Sequence, residues 1–139
     1  MELPFAEDIG HYWQTSNSSP DTWLERAKKL IMQLEGTIVA EGYGFVEEHG
    51  AYMLAFKIGG DSFKVVWPVL PTRTGKSLAA KRQAATLLYH DIKAKAMTAS
   101  VLGAKVAFFS YLMLVDGRTA SELATPELPG AFPFQLKQG

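Results

Sequence analysis

Along the first third of the chain, apolar and polar positions repeat with a helical period. Ser19-Pro20 supplies an N-cap and a first-turn proline. Trp23, Ala27, Leu30, Ile31 and Leu34 then follow at spacings of four, three, one and three. One apolar stripe of this kind predicts a helix over about 21–35, with Gly36 as its stop. From Thr37 the period changes to two. Thr37–Val46 is rich in strand formers, and the interrupting Gly42 and Gly44 predict a bend or bulge. Glu47-Glu48-His49-Gly50 reads as a polar turn. Ala51–Ile58 alternates, with Tyr52, Leu54, Phe56 and Ile58 on one side, and Ser62–Val69 alternates again with Phe63, Val65, Trp67 and Val69 on one face. Gly59-Gly60-Asp61 between them is a hairpin connection.

Pro68 and Pro71 end the third strand, and Thr72–Gly75 forms a loop before a long helix from about 77 to 101. On a helical wheel Leu78, Ala85, Leu88, Ile92, Ala96 and Ala99 share one side, while Arg82, Gln83, Thr86, His90 and Lys93 share the other. Gly103 stops it. Lys105–Val115 fits either a strand or a buried helix, since a continuous apolar run does not separate the two. Asp116-Gly117 is a turn, and Thr119-Ala120-Ser121-Glu122 matches a capping box for a short helix ending near Ala124. The tail from Thr125 interleaves Pro126, Pro129 and Pro133 with Phe132, Phe134 and Leu136 and reads as extended. Residues 1–19 lack a period and read as a loop or loosely docked arm. The expected fold is α+β: an α-β-β-β-α core over 21–103, with a three-stranded antiparallel meander packed on two helices. An N-terminal arm over 1–20 precedes it, and a C-terminal extension and tail over 104–139 follow.

With 139 residues, 47% apolar and 20% charged, the chain has enough material for one domain with its own core. It contains no cysteine, which excludes disulfides and thiolate metal sites. The N-terminus carries Glu2, Glu7 and Asp8 rather than the basic-then-apolar order of a signal peptide. The most apolar run, Val106–Val115, is too short for a membrane-spanning helix. A cytoplasmic protein with no membrane partner is expected.

The net charge is zero, yet its distribution is uneven: residues 1–50 hold nine Asp/Glu and three Lys/Arg, and residues 51–139 hold eleven Lys/Arg and five Asp/Glu. Such asymmetry suits an anionic ligand, or contact between the acidic half of one copy and the basic half of another in a homo-oligomer. Positive charge gathers at Arg73, Lys76, Lys81, Arg82 and Lys93, around the start of the long helix. A helix start preceded by a cationic loop is suited to holding phosphate. The run Thr74-Gly75-Lys76-Ser77 is not a nucleotide-binding P-loop, because position 70, where the first glycine belongs, is Leu70. Tyr43 and Phe45, on the glycine-interrupted strand, are the best candidates for an exposed stacking platform, with Trp13 of the arm as another. Tyr52, Phe56, Phe63 and Trp67 fall at core-facing positions.

His11, His49 and His90 have no metal-ligand spacing. Asp61, Asp91 and Asp116 lie far apart, and no local nucleophile–base constellation is visible. No enzyme, metal or cofactor is expected.

An α-β-β-β-α order with a basic loop before the last helix resembles the double-stranded-RNA-binding domain. Its second helix opens with a Gly-x-Ser-Lys-Lys-x-Ala-Lys-x-x-Ala-Ala type pattern, matched in part by Gly75-Lys76-Ser77 and Ala80-Lys81-Arg82-Gln83-Ala84-Ala85. Leu78 and Ala79 stand where that family carries the paired lysines that grip phosphates. This likeness covers at most residues 21–90. The β-meander followed by a long basic helix is also similar to the annealing core of Rad52-like recombination proteins, which make an open cationic groove for single-stranded DNA and assemble into rings or filaments. Either resemblance implies a non-catalytic nucleic-acid-binding protein; single-stranded DNA, the partner that the Rad52-like likeness implies, is the favoured one. A protein-interaction or assembly module using Val106–Val115 and the tail is the alternative.

Overall fold

The computed structural model describes residues 2–122 except 16 and 47. The elements run α1 (Ala6–Ile9), α2 (Pro20–Gln33), β1 (Thr37–Val46), β2 (His49–Ile58), β3 (Asp61–Pro68), α3 (Ser77–Leu102), α4 (Ala104–Ala107) and a 3₁₀ turn at Phe109–Tyr111. The three strands form one antiparallel sheet in the order β1-β2-β3. Helices α2 and α3 pack on each other and on the sheet. The α+β architecture is therefore the expected one. The expected C-terminal helix beyond Glu122 and the Pro/Phe tail lie outside the described residues.

Helix α2 begins as its sequence requires. The Ser19 side chain accepts a hydrogen bond from the Thr22 N–H, and Pro20 occupies the first turn. Its end is built differently from the expectation. The left-handed residue is Glu35, at φ +63°, and not Gly36. The Glu35 N–H reaches the Met32 carbonyl and the Gly36 N–H reaches the Ile31 carbonyl, which is the Schellman pattern. Gly36 is needed for space, since a Cβ there would stand 2.6 Å from the Ile31 side chain and 2.8 Å from its carbonyl.

The sheet also departs in detail. The irregularity in β1 lies between Ile38 and Ala40, while Gly42 and Gly44 keep regular pairing with Met53 and Ala51. His49 and Gly50, expected in a turn, open β2 and pair with Val46 and Phe45. Pro68 ends β3 as expected, as its last residue, opposite Ala51. Gly59-Gly60 forms the two-residue hairpin, with Gly59 at φ +62°.

The core lies between the helices and the sheet face carrying Tyr52, Leu54, Phe56, Phe63 and Val65. Ala27 and Ile31 of α2 and Ala84, Ala85, Leu88 and Ile92 of α3 meet that face. The ambiguous run 105–115 resolves into helix, 3₁₀ turn and a short extended stretch beside β3, where Leu112 bridges Phe63 and the Met113 N–H reaches the Ser62 carbonyl. Phe108 enters the core from this segment, its ring 5.3 Å from Phe56 and 5.8 Å from Phe63. The Thr119–Glu122 capping box is formed reciprocally: the Glu122 N–H donates to Thr119 Oγ1 and the Thr119 N–H to Glu122 Oε1.

The long helix corrects the wheel. Leu78, placed on the apolar side, is exposed, and Gln83 and Thr86, placed on the polar side, are buried. At Gln83 the arm is the reason. It packs on α3 with Ala6 fully buried, and Gln83 Nε2 donates to the carbonyls of Ala6 (3.0 Å) and His11 (3.1 Å). Tyr12 stacks on His90 at 4.8 Å and 5°. Residues 2–15 are thus a docked layer rather than a loose arm.

Candidate nucleic-acid interface

The loop before α3 is shaped by Gly75, at φ +74°, whose N–H donates to the Thr72 hydroxyl. Its cationic side chain is already taken. The Glu7 carboxylate accepts the N–H groups of Arg73 and Thr74 and the Thr74 hydroxyl, at 2.9–3.2 Å. Asp8 meets the Arg73 guanidinium fork to fork, at 2.8 and 2.5 Å. For Glu7, partial desolvation pushes the pKa up, but hydrogen bonds from its own backbone, Thr74 and Arg73 outweigh it and leave the pKa lowered. The hydrogen bond from Arg73 holds Asp8 low in turn, and Asp8 raises Arg73. The acidic and basic halves of the chain meet here within one molecule.

The other sequence-identified residues fall into three places. Lys76 is the exposed N-cap of α3. One and a half turns further on, Lys81 places its Nζ over the Tyr43 ring, 4.9 Å from the centroid. Tyr43 in turn sits edge-on to Phe45 at 5.9 Å and against Tyr52 at 5.1 Å. Tyr43 is 42% exposed and Phe45 73%, so two rings and a cation are presented together at the surface. Gly50, paired with Phe45, makes room for this arrangement: a Cβ at 50 would run into the Tyr43 hydroxyl.

Arg82, one residue after Lys81, turns toward the arm and not toward Tyr43; with Tyr12, Gln14, Asn17 and Ala79 it borders a separate cavity. Lys93 lies twelve residues beyond Lys81, about 18 Å along the helix axis at 1.5 Å per residue. There it borders a groove with Leu30, Gln33 and Leu34 of α2. Lys81, Tyr43 and Phe45 therefore share one region, Lys76 lies at the start of the same helix, and Arg73, Arg82 and Lys93 do not join them. Trp13 is half-buried in the arm.

Electrostatics divide this surface. A groove of ≈ 460 Å³ runs between α2 and β1, lined by Asp21, Glu25 and Glu41 with Leu24, Tyr43 and Tyr52. Burial first, then the neighbouring Tyr43 and Asp21, push the Tyr52 hydroxyl up to about 12. Lys28 pairs with both Glu25 and Glu41, and the groove keeps a net negative charge unsuited to a polyanion, so Tyr43 marks the boundary between an acidic groove and a cationic helix start. Glu7 and Asp8 are the functional neighbours that residue patterns missed. The only trace of them in the sequence is the opposed charge of the two halves.

No protein-family model, no curated protein and no solved structure matches this chain. Among the described residues no helix is long and apolar enough to cross a membrane.

Proposed function

We propose that this chain is a non-catalytic nucleic-acid-binding protein, an annealing or recombination accessory of the cytoplasm that favours single strands. The observation that carries this is the Lys81–Tyr43–Phe45 arrangement, with a cation over one exposed ring and a second ring beside it. Unpaired bases stack on exposed aromatic faces, and lysines neutralise the adjoining phosphates. Lys76 extends the cationic side to the start of α3. Arg73, engaged by Asp8 and Glu7, holds the loop in shape rather than contacting the strand.

Fluorescence anisotropy with labelled single- and double-stranded oligonucleotides, at low and high salt, tests the proposal. Single strands are expected to bind more tightly, with an affinity that falls steeply as salt rises. Tyr43→Ala or Phe45→Ala is expected to weaken binding by roughly 5- to 150-fold, corresponding to about 1–3 kcal/mol per stacked base. Absence of binding at about 50 mM salt, where electrostatic contacts are strong, would remove the idea.

A second role, homo-oligomeric assembly, is favoured by a different region. Met97, Val101, Leu102, Val106 and Phe109 are all more than half exposed within 13 residues at the far end of α3 and the turn after it. A contiguous apolar patch of this kind marks an interaction surface. Light scattering across a wide concentration range should show association that Val101→Glu abolishes; a strict monomer at every concentration would rule it out.

A further inference from the structure

The cavity bordered by Tyr12, Gln14 and Asn17 of the arm and by Ala79 and Arg82 of α3 lies apart from the Lys81–Tyr43 face, and it has a chemistry of its own. Arg82 is partly buried, and its Nε is inaccessible to water without any hydrogen-bond partner among the described residues. No other described side chain forms an ion pair with its guanidinium, in contrast to Arg73 and Arg118, each held by an aspartate. A guanidinium donor withdrawn from water costs stability unless it is matched. Arg82 is thus a cation with one unmatched donor and no ion pair among the described residues, at the wall of a pocket.

The rest of the lining narrows the ligand. Gln14 and Asn17 carry amide N–H donors and Tyr12 a hydroxyl donor, while among the described residues no carboxylate borders the cavity. Every polar side chain present can donate a hydrogen bond, and the one charge is positive. That set selects an oxyanion over a cation or an apolar group. Tyr12 is fixed in place, lying flat on His90, and Tyr12 and Gln14 both hold left-handed backbone, at φ 59° and 58°. The small Ala79 leaves the floor of the pocket open. At ≈ 180 Å³ the space equals roughly six waters at ~30 Å³ each, the scale of one phosphoryl group with a few waters and not of an extended strand.

We infer that this cavity is a phosphate site: the terminal nitrogens of Arg82 bind a phosphoryl oxyanion, with the Gln14 and Asn17 amides and the Tyr12 hydroxyl as further donors. Arginine suits the task because its planar fork matches phosphate oxygens. The phosphoryl group is either a small free oxyanion or the terminal phosphate of a strand, and both present the same monoester chemistry. The inference does not rest on the Lys81–Tyr43–Phe45 face, and nucleic acid is not needed to test it.

Thermal melts and calorimetric titration of the full chain with sodium phosphate, against sodium chloride at matched ionic strength, provide the test. Phosphate is expected to raise the melting temperature by a few degrees over chloride, as a ligand that binds only the native state must. Arg82→Gln should abolish the effect. Should that variant fold poorly, Gln14→Ala and Asn17→Ala each remove one donor from the exposed side of the cavity, and each should weaken phosphate binding several-fold. Oligonucleotides differing only in a 5′-phosphate or 5′-hydroxyl separate the two sources. A preference for the phosphorylated strand that is lost in Arg82→Gln identifies a strand terminus. Binding of phosphate and thymidine monophosphate without such a preference identifies a small oxyanion. Equal responses to phosphate and chloride, or a wild-type response retained in all three variants, would overturn the site.

Discussion

Asp8 and Arg73, 65 positions apart in the chain, face each other with both carboxylate oxygens on both terminal guanidinium nitrogens. Beside them Glu7 accepts the two successive backbone N–H groups of Arg73 and Thr74. The carboxylate of the arm thus takes the place at this loop that the sequence suggested for an external phosphate. Both groups are solvent-exposed, so the pairing orients the arm more than it stabilises the fold.

The hold of Glu7 and Asp8 on the loop should therefore loosen in acid. Glu7 and Asp8 both have lowered pKa values in the folded state. A lowered carboxylate contributes stability above its unfolded pKa and loses it as pH falls through the folded value. The window lies below the ordinary values of 4.5 and 3.8. Amide hydrogen exchange at Arg73 and Thr74 should accelerate there. In Glu7→Gln the same amides should exchange faster already at neutral pH; unchanged protection in that variant would contradict the hydrogen-bond assignment.

His90 gives a second, higher pH dependence. Its ring is packed against Tyr12, Trp23 and Tyr89. Burial, followed by repulsion from Lys93, lowers its pKa from 6.5. The unfolded chain then binds the proton more readily than the folded one, so stability is complete above 6.5 and declines as pH falls toward the lowered folded value. Melting temperature measured through this range should drop in the wild type, and His90→Phe should flatten that part of the profile.

The end of α2 offers a pair of opposite substitutions. Glu35→Gly should stabilise by about 0.5–1 kcal/mol, since relief of roughly 1–2 kcal/mol of left-handed strain exceeds the ~0.4–1 kcal/mol of extra unfolded-state entropy. Gly36→Ala should destabilise, because the new methyl group meets both the side chain and the carbonyl of Ile31. Urea denaturation of the two variants reads the signs directly. Matching signs would mean the Schellman geometry is misassigned.

Phe108 ties the segment after α3 into the main core, with no exposed surface. Phe108→Ala should cost about 3–5 kcal/mol, the usual range for a buried ring replaced by a cavity. Calorimetric unfolding should show the loss as a single, lower transition. A loss under about 1 kcal/mol would mean the segment folds apart from the meander.

Much of this architecture was legible from local pattern. The three-four spacing of Trp23, Ala27, Leu30, Ile31 and Leu34, the alternation around Phe56 and Phe63, and Gly59-Gly60 each act through interactions a few residues long. Such interactions bound the helices and strands within a residue or two. The wheel failed at Gln83 for a definite reason: the arm returns the carbonyls of Ala6 and His11 to the side that polarity assigned to water. Nothing periodic in residues 2–15 announces that docking.

The candidate site divides along the same line. Residue type was enough to nominate Lys76, Lys81, Tyr43 and Phe45, because cations and rings carry their chemistry wherever they are placed. Whether those groups meet is a question of three-dimensional placement. Tyr43 comes under Lys81 only because the fold brings together residues 38 positions apart, and Arg73 drops out only because the arm returns Asp8 to it from 65 residues away. Local periodicity arises from the fixed geometry of a single element, whereas contact between distant elements depends on how their faces pack, and short stretches of sequence do not encode that.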